Sequence, residues 1–541
     1  MKLRKRPNNG FHDLACVVIC SLVGMGSLVA RSTGDPKLVV GIVVDQLRSD
    51  YLESLQGLFG TGGFNRLLKE GVYLPDVEFH VAGLDPASAS AIIQTGNYPR
   101  YNGITSSKVY SPTAKDLVFA LHDPAAMGNF TTETFSPANL RLSTITDEFI
   151  MSGEGDNKAY SISPNAQQSI IMAGHAGNSA FWINENTGNW ATTTFYSDNP
   201  KILTQRNYSN PISSRLDTLR WSPLRAVPET EGLKKKKKNR KSANFLYNFP
   251  KNDRNVYRMF SSSPLGNTEV TNAAISYLEE LQLGRRDKGA DMLNIAYTAA
   301  PYPYADMGDN GQEVEDTYLR LDGELIKLFD ALDRYVGMDN VLVYVSSTGY
   351  YEDGQTDEPA YKMPSGNFSV KRALSLLNSY LSALYGPADY IATYNNGHVY
   401  LNHKEIENKK LHLKEIAEIS RDFLVRMSGV NDAFTMADIM SSTIPSMEGL
   451  RLGTDPKTGG DIILEFNAGW TITDDSRYPV ENHVERSEIA LTPAFFMGAG
   501  IQPEKIEETV DAVVIAPTVS RLLRIRSPNG VAAKPLTLKR N

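Results

Sequence analysis

Three nearly continuous apolar segments constrain the fold of this chain more than any other feature. They are Lys37–Asp45 (KLVVGIVVD), Met292–Thr298 (MLNIAYT) and the first residues of Val341–Glu352 (VLVYVSSTGYYE). Segments rich in β-branched and aromatic residues, without polar alternation, are typical of strands buried on both faces of a parallel sheet. Ligands bind at the carboxyl ends of such strands in open α/β sheets, so the residues found there are candidates for function.

Segments with helical periodicity separate these strands. Between the second and third strands, apolar residues recur at three- and four-residue steps and end near Gly337: Val314, Tyr318, Leu321, Leu325, Leu328 and Leu332. Further helices are predicted at Gly63–Glu70, Ala87–Gln94, Thr268–Leu281 and Leu413–Met427. Strands that alternate with helices predict an α/β fold, with a large, mainly parallel β-sheet sandwiched by helices.

The length of 541 residues is too great for one simple core, so insertions are expected. We predict a core formed by residues 36–197, 257–356 and 446–541, with an inserted cap at 198–256 and a second cap at 357–445. The second cap should contain two or three helices and a short strand at His398–Leu401. The chain should return to the core at Asp461–Glu465 and Leu491–Met497.

The N-terminus has the pattern of an export signal over residues 1–30. The basic stretch Lys2–Arg6 precedes an apolar run, Leu14–Ala30, that ends in small residues. The alternative is an uncleaved membrane anchor, for which this run is short. Both cysteines, Cys16 and Cys20, lie inside the run, so a cleaved chain would contain no thiol and no disulfide. We therefore expect an exported protein, periplasmic or associated with the envelope.

Charge gives little indication of a partner. The formal net charge of −7 does not favour nucleic-acid binding. The basic run Lys234–Lys238, followed by Arg240 and Lys241, is the one exception. It is either a contact for an anionic partner or, as is more common for such runs, a solvated loop.

Asp45 is the clearest candidate for chemistry, because it ends the first buried strand. A carboxylate there can bind a metal or orient a polar ligand, or it can cap the next helix. Ser88 and Ser90 lie near the start of the helix within Leu84–Ile104, where hydroxyls either act on a ligand or cap the helix. No G-x-S-x-G motif is present, which argues against a serine nucleophile.

Histidines offer no local metal motif. No pair has H-x-x-x-H or H-E-x-x-H spacing, and neither a P-loop nor a dinucleotide-binding fingerprint is present. The eight histidines are His12, His80, His122, His175, His398, His403, His412 and His483.

A series of segments nevertheless resembles one family in order and over almost the whole chain. The chain is similar to the exported bacterial alkaline phosphatases of the type I phosphodiesterase/nucleotide pyrophosphatase group. This resemblance implies the fold of the alkaline phosphatase superfamily, a large parallel-rich sheet between helices with cap insertions. The segments are Val39–Leu52, Gly62–Val72, Thr95–Ile104, Ile145–Phe149, Ala173–Gly188, Ser263–Ala274 and Glu313–Asp322.

The resemblance also implies two zinc ions and a threonine nucleophile, but most of the corresponding positions are substituted. Asp45 matches the first aspartate of the ligand set, whereas the nucleophile falls on Pro86. The D-x-x-x-H ligands fall on Pro301 and Ala305, or on Tyr302 and Asp306 after a one-residue shift. The D-H-G ligands fall on Ser347 and Thr348, with only Gly349 kept, and the late histidine falls on or beside Leu491.

The phosphate contacts of the family are replaced as well. Its asparagine falls on Ser107, and its lysine and arginine fall on Asn165 and Gln167. His175 is retained but is isolated from any ligand pattern, so we expect it to be structural.

Three hypotheses follow. The first is a catalytically inactive pseudophosphatase with a binding, scaffolding or assembly role in the envelope, an envelope protein as partner, no stable membrane span after signal cleavage and no metal cofactor. The second is a phosphomonoesterase or phosphodiesterase with a rebuilt site, where Asp45, Asp85, Asp306 and Asp309 hold Mg²⁺ or Ca²⁺ and Ser88 or water attacks. The third is an active enzyme of the usual family type, in which the metal ligands and the nucleophile lie at other positions than those assigned above.

Overall fold

The computed structural model describes residues 35–196, 199–225, 245–305, 311–352, 365–476, 481–485 and 490–540. The predicted signal, the Lys234–Lys238 run, Asp306 and Asp309 lie outside these ranges. Within them, no helix combines the length and the apolar character that a bilayer crossing requires.

A ten-stranded sheet forms the centre of the molecule and confirms the predicted α/β class. Its central five strands are parallel, and shorter strands, several of them antiparallel, flank them on both sides. In spatial order the strands are Glu504–Lys505, Val72–Leu74, Ala494–Gly498, Val341–Ser347, Leu38–Asp45, Asp291–Thr298, Lys158–Ser163, Ser179–Ile183, Trp190–Thr193 and Gly128–Asn129.

The strand Leu38–Asp45 is buried along its whole length because helices cover both faces of the sheet. Val40, Ile42 and Val44 pack on one face, in the core that contains residues of the helices Pro264–Glu280 and Gly311–Tyr335. Val39 and Val43 pack on the other. This two-sided burial explains why the strand is apolar without alternation.

The predicted helices are present, with ends shifted by a few residues. The α-helices are Ser49–Leu55, Phe64–Glu70, Pro86–Thr95, Pro99–Asn102, Ile145–Ser152, Ala166–Ala173, Lys201–Ser209, Ile212–Arg215, Val256–Ser261, Pro264–Glu280, Gly311–Tyr335, Val370–Tyr385, His403–Asn408, Leu413–Leu424, Met436–Ser441, Glu448–Gly453 and Ile515–Leu523.

A second lobe, built from the elements between residues 366 and 484, has its own apolar core. Its antiparallel sheet has the order Ile391–Asn395, His398–Leu401, Ile462–Phe466 and Val430–Thr435, and Gly366–Ser369, Trp470–Asp474 and Glu481–Val484 form a smaller sheet. Short strand pairs elsewhere are Arg220–Trp221 with Tyr247–Asn248, Val77–Glu78 with Val510–Asp511, and Lys108–Ser111 with Asp116–Phe119.

One predicted strand belongs to a different sheet. Asp461–Glu465 was expected to rejoin the central sheet, but Ile462–Phe466 pairs with Val430–Thr435 and His398–Leu401 in the second lobe. That prediction is wrong. Apolar composition shows that a strand is buried, but it does not distinguish burial in the core of the second lobe from burial in the core around the central sheet. The strand within Leu491–Met497 does rejoin the central sheet, as Ala494–Gly498.

Candidate functional site

Two neighbouring parallel strands bring the first candidate residues together at one edge of the central sheet. In the pairing register Val44 lies opposite Ser347, so Asp45 and Thr348 leave their strands side by side. This is the edge at which ligands bind in open α/β folds. Asp45 does not cap the following helix, because that helix starts at Ser49 with Arg48 as its N-cap residue.

Two hydroxyl groups that follow the neighbouring strand contact one oxygen of the Asp45 carboxyl group. The Thr348 hydroxyl donates to Asp45 Oδ1 at 2.9 Å, and the Tyr350 hydroxyl donates to the same oxygen at 3.0 Å. Thr348 Oγ1 also accepts a hydrogen bond from the backbone N–H of Gln46 at 2.8 Å. Asp45 is only 9% exposed, so protein groups rather than solvent supply most of its polar surroundings.

Burial raises the pKa of Asp45 to about 7, although the hydrogen bonds from Thr348 and Tyr350 act in the opposite direction. The nearby charges of Glu352 and Asp85 raise it further. Burial also raises the pKa of Tyr350, so this phenol remains a neutral donor. Metal binding requires the deprotonated carboxylate, so the raised pKa weakens Asp45 as a metal ligand near neutral pH.

Ser347 and Gly349 are committed to the local structure. The Ser347 hydroxyl donates to the backbone oxygen of Leu47 at 2.7 Å, which ties together the ends of the two strands. Gly349 has a φ of +77°, and a Cβ atom there would lie 2.0 Å from the ring of Phe79. The turn therefore requires glycine, both for its backbone conformation and for the close approach of the ring.

The helix Pro86–Thr95 begins at the position that the resemblance assigns to the nucleophile. Its N-cap residue is Asp85, whose Oδ1 accepts from the backbone N–H groups of Ala87 at 3.1 Å and Ser88 at 2.9 Å. The backbone N–H of Asp85 donates to Ser88 Oγ at 3.0 Å, which completes a capping box, and the Ser88 hydroxyl also donates to Asp85 Oδ1 at 2.9 Å. The capping alternative is thus confirmed for Ser88, and Ser90 likewise donates within the helix, to the Pro86 oxygen at 2.7 Å.

The positions assigned to phosphate contacts carry no positive charge. Asn165 caps the helix Ala166–Ala173 by accepting from the N–H groups of Gln167 at 2.9 Å and Gln168 at 3.2 Å. The N–H of Ser107 donates to Asp85 Oδ2. Gln167 is 5% exposed, and its Oε1 has no hydrogen-bond partner within the described ranges. Asp85 and Asn165 therefore cap the N-termini of the helices Pro86–Thr95 and Ala166–Ala173.

Of the remaining assigned ligand positions, Asp306 lies outside the described ranges, and the others hold residues that do not bind metals well. Tyr302 packs against the rings of Trp221 and Tyr247, with its ring centroid 4.9 Å from each of theirs. Pro301 and Ala305 flank it in the same loop. Leu491 is 47% exposed, and its backbone oxygen accepts from the N–H of Ser49 at 2.8 Å.

The fit of the two zinc ions that the resemblance implies can be tested on these residues. Across the residues that the structure describes, no group of three or more histidine, cysteine, aspartate or glutamate side chains is arranged to hold a metal ion. A zinc pair needs most of its ligands from such side chains, and Asp45 alone supplies one. The described residues therefore do not fit the pair.

Sequence reasoning missed Tyr350, Gln46 and Glu352 as parts of this site. The backbone N–H of Glu352 donates to Gln46 Oε1 at 2.8 Å, and burial raises the pKa of Glu352. The family motif ends at Gly349, and no local sequence pattern indicates that the chain beyond it brings Tyr350 onto Asp45.

His175 has the structural role that was predicted for it. Its Nδ1 lies 3.0 Å from Asp147 Oδ2, and its Nε2 lies 2.9 Å from the backbone oxygen of Leu140. Hydrogen bonding to Asp147 raises the pKa of His175. Both ring nitrogens are therefore engaged in joining the helix Ile145–Ser152 to its neighbouring loops.

Known proteins are similar to this chain over most of its length. The model of the type I phosphodiesterase/nucleotide pyrophosphatase family matches residues 39–489. Alkaline phosphatase PafA of Elizabethkingia meningoseptica is 31% identical over 537 residues, which cover 95% of this chain and 97% of the relative. Alkaline phosphatase PhoV of Synechococcus elongatus is 28% identical over 532 residues, covering 94% of each chain.

The fold is similar over the same length. The crystal structure of wild-type PafA aligns with a TM-score of 0.80 at 29% identity, covering 93% of this chain and 98% of that one. The likeness therefore includes both the central sheet and the second lobe.

Proposed function

This chain belongs to the type I phosphodiesterase/nucleotide pyrophosphatase family, and we propose that it is an exported phosphatase-like member that does not use two-zinc hydrolysis. Its role is instead to bind a polar ligand or an envelope protein through the phosphatase scaffold. The observation that carries this proposal is the hydrogen bonding of Asp45 by Thr348 and Tyr350. Both hydroxyls are neutral donors to Oδ1 of the carboxyl group that matches the first aspartate of the family's ligand set.

The charge around the cleft supports the same proposal. Asp85 and Glu352 both lie close enough to Asp45 to raise its pKa, so the local potential is negative. Asn165 and Gln167 stand where the resemblance places a lysine and an arginine. A phosphate group would therefore meet carboxylates without the basic side chains that usually neutralise it.

Phosphoester hydrolysis through a rebuilt metal site is the second candidate, and the relatives favour it. Both curated relatives are named alkaline phosphatases, and they are similar to this chain over more than nine-tenths of its length. Asp45 and Asp85, with Asp306 and Asp309 from outside the described ranges, would supply oxygen ligands for Mg²⁺ or Ca²⁺. Water would be the nucleophile, because the Ser88 hydroxyl is engaged in the helix cap.

One experiment separates the two candidates. The full chain is purified, its metal content is measured by elemental analysis, and hydrolysis of an aryl phosphate is followed with added Zn²⁺, Mg²⁺ or Ca²⁺. We expect less than one zinc per chain and no turnover above a buffer blank. Metal-dependent turnover that is lost in Asp45→Ala, but kept in the exposed control Asp116→Ala, would establish the hydrolase instead.

The proposed location is tested separately. Cell fractionation should place the protein in the periplasm or with the envelope, as the basic and apolar segments at the N-terminus predict. Recovery of the intact chain from the cytoplasmic fraction alone would contradict export.

A further inference from the structure

Positive charge is concentrated in the C-terminal segment of this acidic chain. Residues 512–541 contain six lysines and arginines, spaced along the segment, and no aspartate or glutamate. The formal net charge of −7 therefore divides into +6 for this segment and −13 for residues 1–511, which hold 49 basic and 62 acidic residues. Such an asymmetry of charge within one chain indicates a surface for an anionic partner.

The fold brings basic residues from the two ends of this segment together. The end of the helix Ile515–Leu523 packs against the chain that follows it later in the sequence. Arg521 Nη1–H donates to Thr537 Oγ1 at 3.3 Å, and Arg540 Nη1–H donates to the backbone oxygen of Leu522 at 2.9 Å. The basic residues at the end of the helix and those of the following chain therefore share one surface.

Arg524 and Lys539 extend this cluster and are open to solvent. The side chain of Arg524 is 60% exposed and that of Lys539 is 67% exposed. Burial, and then the positive charge of nearby Arg524, lower the pKa of Arg540, so these two guanidinium groups are close neighbours. The dipole of the helix favours cations at its C-terminal end, but Lys539 lies outside the helix and is not explained in this way.

The cluster lies where the chain enters the central sheet. Asp35 pairs with Arg524 at 3.3 Å, and Lys37 is exposed two residues later, directly before the strand Leu38–Asp45. Asp45 is at the other end of this eight-residue strand, about 25 Å away at about 3.3 Å per residue. We call the following five residues the basic face: Lys37, Arg521, Arg524, Lys539 and Arg540.

Carboxylates that pair with the basic face do not balance its charge. Asp35 pairs with Arg524, and Glu504 pairs with Lys539 at 2.8 Å. Two carboxylates leave five basic side chains with an excess of positive charge. Ion pairs this exposed are weak and screened by salt, so an anionic surface can compete with Asp35 and Glu504 for the same cations.

The position of the N-terminal segment favours a membrane over a protein as this anionic surface. The apolar run Leu14–Ala30 ends five residues before Asp35, and Arg31 lies between them. Five residues span at most about 18 Å, so a bilayer that holds the run would lie next to the basic face. Lysines and arginines beside a membrane segment attract anionic lipid headgroups.

We propose that the basic face docks on the surface of a bilayer that contains anionic lipid. Its ammonium and guanidinium groups bind the phosphates of the headgroups, and the opposite edge of the sheet, with Asp45, is directed away from the lipid. Stable attachment to a membrane needs two signals, and the apolar run, where it is retained, and the basic face supply them. The inference does not depend on what the Asp45 site binds.

The test measures binding of the full chain to sedimenting vesicles. The vesicles contain phosphatidylcholine alone or phosphatidylcholine with one third phosphatidylglycerol. The apolar run binds both kinds of vesicle, so the readout is the ratio of the two affinities. It is measured at about 0.1 M salt and again at about 0.5 M salt, where exposed charges are screened over a shorter distance.

Three variants locate the effect. Arg521→Gln/Arg524→Gln/Lys539→Gln neutralises the centre of the basic face, and Lys37→Gln/Lys539→Gln is a milder variant that leaves the end of the helix unchanged. The matched control removes three exposed charges from the second lobe. Its substitutions are Lys404→Gln, Lys414→Gln and Arg426→Gln. Circular dichroism melts confirm that each variant is folded.

We expect the wild type and the control to bind the anionic vesicles at least about tenfold more tightly than the neutral ones at low salt. The triple variant of the basic face should lose most of this preference, and the double variant part of it. High salt should remove the preference from every protein.

The proposal is overturned if the wild type shows no preference for anionic vesicles, or if the control loses as much preference as the triple variant of the basic face. Binding of poly-L-glutamate through the basic face, without a preference for anionic vesicles, would assign this face to an acidic protein and would also overturn the proposal.

Discussion

The hydroxyl of Thr348 donates a hydrogen bond to the Asp45 carboxyl group at 2.9 Å, although 303 residues separate the two in sequence. The same hydroxyl accepts from the backbone N–H of Gln46, so it joins two strand ends as well as satisfying the carboxyl group. An imidazole at this position could hold a metal ion, whereas a hydroxyl binds zinc weakly. The contact is therefore both the structural support of this edge and the chief argument against zinc binding there.

Replacing Thr348 with valine should destabilise the protein by about 1–3 kcal/mol, because a buried carboxyl group and a buried N–H would each lose a partner. The matched control is Thr348→Ser, which keeps the hydroxyl and should cost less. Denaturant unfolding at pH 7 measures both. Equal stability of the two variants would contradict the structural role of the hydroxyl.

Asp45 should make stability depend on pH in a defined direction. The pKa of the free side chain is 3.8 and burial raises it to about 7, so the folded state holds an extra proton between these values. The stabilising contribution of protonated Asp45 is complete below pH 3.8 and is lost as the pH rises through 7.

The test of this dependence is Asp45→Asn, whose side chain cannot ionise. Relative to this variant, the wild type should lose on the order of a few kcal/mol of unfolding free energy between pH 4 and pH 8. Asp116→Asn, in an exposed hairpin, is the control. Parallel pH profiles of the wild type and Asp45→Asn would refute a raised pKa.

Glu269 should be essential for the docking of the helices Lys201–Ser209 and Ile212–Arg215. Its carboxylate is buried and pairs with Arg206 at 2.7 Å and Arg215 at 2.9 Å, one from each of these helices. Glu269→Gln should cost about 3–5 kcal/mol, because two arginines would lose their buried partner. Limited proteolysis should then cut residues 199–225 faster.

The control for this prediction is Glu185→Gln. Glu185 pairs with Arg258 at 2.9 Å, but both side chains are 40% or more exposed, so the loss should be at most about 1 kcal/mol. Similar losses in the two variants would show that burial does not distinguish these ion pairs.

Gly349→Ala should destabilise the turn beneath the site for two reasons. The φ of +77° is unfavourable for alanine, and the new methyl group would collide with the ring of Phe79. The double variant Gly349→Ala/Phe79→Ala removes the collision but not the backbone strain. Thermal unfolding should therefore show less than the sum of the two single losses, and additive losses would exclude the steric contact.

Several features of this protein follow from its sequence because they depend on neighbouring residues. An unbroken run of apolar residues predicts the strand Leu38–Asp45. Apolar residues at three- and four-residue steps predict the helix Gly311–Tyr335. The strand His398–Leu401 has the predicted ends. The segments that resemble the family occur in the same order over nearly the whole chain, and this resemblance predicts the fold.

Tertiary structure decided what those elements contact. Apolar composition shows that Ile462–Phe466 is buried, but only strand pairing places it in the second lobe. Likewise, the hydroxyls after the third strand suggested a site, yet only the fold brings Thr348 and Tyr350 onto Asp45. Local patterns report whether a side chain is buried, whereas its partners depend on chain segments about 300 residues away.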